Sequence, residues 1–265
     1  MQKGVIMEPL NAIKGVLFDL DGVLYIGSKP VEGAIEAVDR IRNAGLPCRF
    51  VTNTSTLSLA SLQAKLAGLG FAADVDEIIS ATQAARLYLM RQGDPVCRFL
   101  LADDVMQDFA DFRQSDTEAE FIVIGDIGDA WSYRLLNEIF NCLMRGAKLI
   151  AIHKNRYWQT ENGLQMDIGA FITGLEYASG AQTTLMGKPS ADFFAMALIS
   201  MGVAACDALL IGDDIDADIG GAQQAGLHGV LVQTGKYRQA YCDASSIHPD
   251  RVIPSIRELP GLLGL

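Results

Sequence analysis

Asp19 and Asp21 stand one residue apart, with Gly22 directly after them. Like charges that close call for a compensating cation, and hard oxygen ligands of this kind suit Mg²⁺. A solvated Asp-Gly turn is the plain alternative, and a metal-binding DxD of a nucleotide-sugar transferase is another. Far along the chain, Gly212-Asp213-Asp214-Ile215-Asp216-Ala217-Asp218 holds four acids within six residues. That density reads as a cation site, against the alternative of an acidic helix start favoured by the macrodipole. Two clusters of other chemistry lie between. Thr52-Asn53-Thr54-Ser55 offers hydroxyls, an amide and loop N–H groups, which can hold phosphate oxygens without adding charge or can cap the next helix. Gly187-Lys188-Pro189-Ser190 offers an ammonium that can neutralise charge at a site or rest on an exposed loop, with Pro189 suited to a helix's first turn.

Each cluster ends an apolar run. Gly15 to Asp19, Cys48 to Thr52, 183–187 and 207–212 read as strands, and further strands are expected at 97–102, 121–125, 148–152 and 228–233. Helical spacing fills the intervals. Ile35, Val38 and Ile41 share a face in 31–44, and Leu59, Leu62, Leu66 and Leu69 share one in 58–69. Further helices are expected at 80–92, 132–145, 168–179, about 189–202 and 216–226. Strands alternating with helices predict an α/β fold with a parallel sheet. Such a sheet would bring the four clusters to one edge, at the carboxyl ends of its strands.

Composition narrows the function classes. The chain has 265 residues with 21 basic and 32 acidic side chains, a net charge of −11, which argues against nucleic acid as a partner. A small anionic substrate stays compatible, because a local site can oppose the global sign. The five cysteines, at 48, 97, 142, 206 and 242, form no CxxC pair, so neither a disulfide framework nor a structural zinc site is expected. Apolar stretches reach only about ten residues and the N-terminus has no signal-peptide pattern, so no membrane partner and a cytoplasmic location are expected. Gly125-Asp126-Ile127-Gly128 is no GxGxxG, which leaves a dinucleotide fold without support. Trp131, Trp158, Phe193 and Phe194 read as packing residues, and His228 and His248 as structural or exposed.

In their order along the chain, DxDG at 19–22, TN at 52–53, lysine at 188 and GDDxxxD at 212–218 resemble the haloacid dehalogenase superfamily of phosphotransferases. The long interval between Asn53 and Lys188 resembles its type IIA arrangement. There a second α/β domain, the C2 cap, is inserted into a Rossmann-like, doubly wound parallel-sheet core. The resemblance implies core segments at 1–81 and 184–265 and an inserted cap at 82–183. Arg156-Tyr157, Gly163-Leu164 and Thr234-Gly235-Lys236 resemble one branch of that type, some members of which carry Ser where this chain has Asp21.

The resemblance implies a phosphatase acting on small phosphomonoesters through an aspartyl-phosphate intermediate. Asp19 would be the nucleophile, and Asp21 the acid that protonates the leaving oxygen and then activates water. Mg²⁺ would be held by Asp19, the carbonyl of Asp21 and Asp213, with Asp214 and Asp218 orienting ligands or touching the metal. Thr52, Asn53 and Lys188 would hold the phosphoryl oxygens. Hydrolysis of pyrophosphate or of an N–P bond is the alternative within enzymes, and a phospho-ligand-binding scaffold without turnover is the alternative outside them. His153-Lys154-Asn155-Arg156, the most basic stretch of an acidic chain, would select substrate from the cap, unless it is a solvated hairpin. A cap-mediated homodimer is also implied.

Overall fold

The computed structural model of the chain describes residue 10, residues 13–160 and residues 163–265, with Trp158, Gln159, Thr160 and Leu164 described by backbone alone. The packing role expected of Trp158, and most of the N-terminal stretch read for a signal peptide, therefore lie outside the described residues. The chain divides into two compact units. The first comprises the residues up to Val51, Ala67–Ala73 and Phe194–Leu265; the second comprises Thr52–Leu66 and Asp74–Phe193.

Within the first unit, parallel strands run in the order Arg251–Ile253, His228–Val232, Ala208–Gly212, Gly15–Asp19, Cys48–Thr52. Val16 faces Leu209 on one side and Cys48 on the other. All five residues of Gly15–Asp19 and all five of Ala208–Gly212 are buried, as unbroken apolar runs are when helices cover both faces of a parallel sheet. Helix Ala34–Asn43 contributes one such face, burying Ala34, Ala37, Val38 and Ile41 at helical spacing. Gly15–Asp19 has Cys48–Thr52, the next strand of this sheet along the chain, on one flank and a strand from some 190 residues later on the other. The order reverses there, and open α/β sheets bind ligands outside the carboxyl ends of the strands at such a point. Asp19 is the last residue of that strand.

The second unit has a parallel sheet of its own, in the order Thr184–Leu185, Lys148–Ala151, Phe121–Ile124, Val96–Leu100, Arg113–Gln114. Helices Tyr133–Met144 and Gly169–Ser179 pack on it through Ile139, Cys142, Ile172 and Leu175, against Ile122, Ile124 and Leu149 of the strands. Truncating a buried isoleucine of this cluster, such as Ile139, to alanine would cost about 2–5 kcal/mol. Trp131 stacks on Phe171 at 4.5 Å between ring centroids, which is the packing role expected of it. An antiparallel hairpin, Tyr157–Thr160 with Gly163–Met166, follows the Lys148–Ala151 strand.

The fold is thus α/β, a Rossmann-like parallel sheet with a second α/β unit inserted in the sequence. The expected strands and helices agree with the structure to within a few residues, but two readings change. Thr184–Leu185 pairs with Lys148–Ala151 in the second sheet, so the strand leading to Lys188 does not belong to the sheet that ends at Asp19. An apolar run of this length suits either sheet, and its pairing partner is not written in its composition. The helix expected at about 189–202 is found at Ala191–Met201, after a cis Lys188–Pro189 bond; the one expected at 216–226 is instead a π-helical turn, Ile215–Gly220, followed by Gly221–Gln224. No helix among the described residues is long and apolar enough to cross a membrane.

Candidate active site

The first unit gathers Asp19, Asp213 and Asp218. Each offers a carboxylate oxygen, and the three oxygens lie within 4.8 Å of one another, although the side chains are almost wholly buried. The positions follow from the strands: Asp19 closes Gly15–Asp19, and Asp213 follows its neighbour Ala208–Gly212 directly. Asp218 comes back to the same place because Ile215–Gly220 winds at once into a helical turn. Its Oδ2 accepts the N–H groups of Asp213 and Asp214, each at 3.1 Å. A Cβ on Gly212 would lie 2.4 Å from that of Asp218, so only glycine permits this approach. Asp214 starts the turn, accepting from the N–H groups of Asp216 and Ala217 through Oδ1. Asp216 is exposed and accepts from the Tyr241 hydroxyl, apart from the buried three.

Asp213 is held by backbone. Its Oδ2 accepts the Lys236 N–H at 2.7 Å, and Gly22 and Gly235 close on it from two loops. A Cβ on either glycine would lie 2.0 Å from that oxygen, and both have positive φ, +86° and +63°. The Thr234 hydroxyl donates to the carbonyl of Gly22 and ties the two loops together. Asp21 is exposed, and its Oδ2 accepts from the hydroxyl of the fully buried Tyr25 at 3.2 Å. Burial, together with the charges of Asp21 and Asp19, pushes the Tyr25 phenol far above its ordinary value and keeps it a donor.

The electrostatics of this group are unbalanced. Burial pushes the Asp213 carboxyl well above the usual range; Lys236 opposes the shift, and Asp19 and Asp218 add to it. Burial works against the Lys236 charge, yet Asp213, Asp214, Asp218 and Asp19 together hold its ammonium above the ordinary lysine value. Its Nζ lies 3.5 Å from Asp214 Oδ2. Carboxylates that converge without enough positive charge are unfavourable by themselves, and an all-oxygen donor set fits a hard divalent cation.

The second unit carries the other expected residues. Asn53 and Lys188 are joined by two backbone contacts: the Asn53 amide donates to the Lys188 carbonyl at 2.9 Å, and the Lys188 N–H donates to Asn53 Oδ1 at 2.8 Å. A Cβ on Gly187 would strike Asn53 Oδ1 at 2.3 Å, so glycine before Lys188 is required for the pairing. The Thr52 hydroxyl accepts the Thr54 N–H and donates to its hydroxyl, closing a tight turn after the strand. Of the basic stretch, His153 is buried with Nε2 3.3 Å from Ser55 Oγ and Nδ1 3.8 Å from Asp167. Lys154 pairs with Glu176 at 2.5 Å. The Asn155 carbonyl accepts the N–H of Gly169, and Arg156 is exposed.

Tyr25 and Lys236 do not stand out as site residues in the sequence. Tyr25 hides in an apolar run; Lys236 has a usable signal, a Thr-Gly-Lys turn soon after the strand His228–Val232.

The family model described as "Haloacid dehalogenase-like hydrolase" matches residues 16–113, and a second model of the same kind matches 185–259. The human haloacid dehalogenase-like hydrolase domain-containing protein 2 is 43% identical over 244 residues, 92% of each chain. The chain belongs to the haloacid dehalogenase-like hydrolase family. Human phospholysine phosphohistidine inorganic pyrophosphate phosphatase is 38% identical over 96% of this chain and 95% of its own. Among solved structures, a glycerol phosphate phosphatase from Mycobacterium tuberculosis, in complex with magnesium, has a TM-score of 0.82 and 25% identity over 96% of this chain and 79% of that one. As a member of this family, the chain is a hydrolase of the phosphatase kind.

Proposed function

We propose that the chain is a Mg²⁺-dependent phosphatase that hydrolyses small phosphomonoesters through an aspartyl phosphate on Asp19. The observation that carries this reading is the convergence of Asp19, Asp213 and Asp218, buried and within 4.8 Å, at the strand end where the sheet order reverses. Asp19, the carbonyl of Asp21 and Asp213 would hold Mg²⁺, with Asp218 beside them and Asp214 orienting the turn. When bound, the ion supplies positive charge that screens the phosphoryl group from the carboxylates.

The chain's own residues do the rest. Asp19 attacks phosphorus, forming a P–O bond to its carboxylate as the bond to the leaving oxygen breaks. Asp21 gives that oxygen a proton and then takes one from the water that hydrolyses the acyl phosphate. Its exposure suits a group that must exchange protons with water, and Tyr25 aims it. Thr52, Asn53 and Lys188 hold the phosphoryl oxygens; the reciprocal Asn53–Lys188 bonds support that role, since they fix the backbone from which the Lys188 ammonium extends. The inserted C2 cap, expected at 82–183, would extend through Thr184–Leu185, which pairs in the second unit's sheet, with Arg156 supplying contacts to the leaving group. An acid at position 21, where some members have Ser, favours esters with poor leaving groups over phosphoramidates.

Phosphate release from a panel of sugar phosphates, nucleotides, aryl phosphates, pyrophosphate and phosphoramidates tests this reading, with and without a chelator. The expected result is turnover of phosphomonoesters that a chelator abolishes and Mg²⁺, but not Ca²⁺, restores. Full activity in chelator, or turnover of pyrophosphate or N–P bonds alone, would overturn it.

A further inference from the structure

Thr234-Gly235-Lys236 has a place in the site that the phosphatase chemistry does not use. The turn is fastened from three directions: the Thr234 hydroxyl to the Gly22 carbonyl, the Gly235 backbone against Gly22, and the Lys236 N–H to Asp213 Oδ2. So fastened, it puts one ammonium 3.5 Å from Asp214, next to Asp213 and within the field of Asp19 and Asp218. The lysine side chain is a quarter exposed. Its ammonium pairs with Asp214, and a backbone N–H, not the ammonium, orients Asp213.

We propose that Lys236 is a resident counter-cation of the acidic cluster and sets how loosely the cluster holds its divalent ion. This inference rests on the reading of Asp19, Asp213 and Asp218 as the ion's ligands. Four carboxylates with one fixed ammonium attract a divalent ion less than the same four alone. They also repel one another less when the ion is absent. The lysine therefore stabilises the ion-free fold and makes the ion exchangeable. A contact that merely shaped the site would do the opposite, because its loss would disorder the ligands and weaken binding.

Calorimetric titration with MgCl₂, in the absence of any substrate, separates the two. Lys236→Met and Lys236→Gln should each bind Mg²⁺ about tenfold more tightly than the wild type, since a unit charge a few ångströms from a divalent ion in a partly solvated site is worth roughly that factor. Lys236→Arg should bind as the wild type does. Lys236→Gln keeps a donor for Asp214 without the charge, so agreement between Gln and Met assigns the effect to charge. Added Mg²⁺ should also raise the melting temperature of Lys236→Gln more than that of the wild type. Binding by Lys236→Met and Lys236→Gln that is unchanged or weaker, or a failure of both to fold even with saturating Mg²⁺, overturns the inference. Asp213→Asn is the control for the reading beneath it. If that variant binds Mg²⁺ like the wild type, the ligand assignment fails; if it loses binding while the Lys236 variants do not tighten, only the counter-cation inference fails.

Discussion

Replacing Gly22 by alanine should do far more damage than replacing Gly27, five residues along, although both have positive φ, +86° and +61°. At Gly27 a Cβ meets nothing within 4 Å, so Gly27→Ala carries only the backbone penalty of the left-handed region, about 1–2 kcal/mol. At Gly22 the Cβ would sit 2.0 Å from Asp213 Oδ2 and 2.9 Å from Gly235 Cα. The carboxylate must move, and with it goes the 2.7 Å bond from the Lys236 N–H, a charged hydrogen bond worth about 1.5–3 kcal/mol. Gly22→Ala should therefore lose about 2.5–5 kcal/mol in all, about 1.5–3 kcal/mol more than Gly27→Ala. Urea denaturation of both variants without added metal measures the difference. Phosphate release measures the functional side: a displaced Asp213 should lower kcat/KM at least about a hundredfold, whereas Gly27→Ala should stay within a few-fold of the wild type. Equal stability and equal activity for the two variants would refute the picture of Asp213 clamped between two glycine loops.

Other outcomes test other parts of the account. Asp21→Asn should show a burst of phenolate from an aryl phosphate followed by a slow steady state, and no burst from an alkyl phosphate, by rapid-quench kinetics. Tyr25→Phe, which removes the hydroxyl on Asp21, should slow alkyl phosphates several-fold more than aryl phosphates. Arg156→Ala should reorder a panel of substrates by about two- to tenfold in kcat/KM and spare a small aryl phosphate, while Lys154→Ala, whose charge already faces Glu176, should reorder it less. Burial raises the Asp250 carboxyl, but the Gly229 N–H, the Gln223 amide and the His228 ring hold it below the usual range. A depressed folded pKa stabilises above the unfolded value of about 3.9 and is lost as pH falls through the folded one. Asp250→Asn should thus be less stable than wild type near neutrality by about 1–2 kcal/mol, with the gap closing in acid, as denaturant midpoints at several pH values would report.

The amino-acid order makes some of this visible and hides the rest for identifiable reasons. Gly15–Asp19 and Ala208–Gly212 can be read as buried strands because their apolar runs are short and lie between helix-period segments. Their adjacency, and so the meeting of Asp19 with Asp213, comes from the family pattern. Thr184–Leu185 is expected at the wrong edge because two residues of strand carry no information about their neighbour. Arg251–Ile253 escapes notice because it is only three residues long and opens on Arg251, with Val252 exposed. The reciprocal bonds of Asn53 and Lys188 use main-chain atoms at residue 188, and no side-chain pattern announces such a contact. Lys236 shows the opposite case: its Thr-Gly-Lys setting is legible as a motif, but only the folded loop shows that the glycine exists to let the next N–H reach Asp213.

The claim on which the account depends is that Asp19 carries the phosphoryl group in turnover. Incubating Asp21→Asn with an aryl phosphate and Mg²⁺, quenching in acid and mapping the peptides by mass spectrometry tests it directly. The account predicts close to one phosphoryl group per chain, on Asp19. Phosphate on a different residue, or a first turnover that leaves no phosphorylated aspartate, would contradict it.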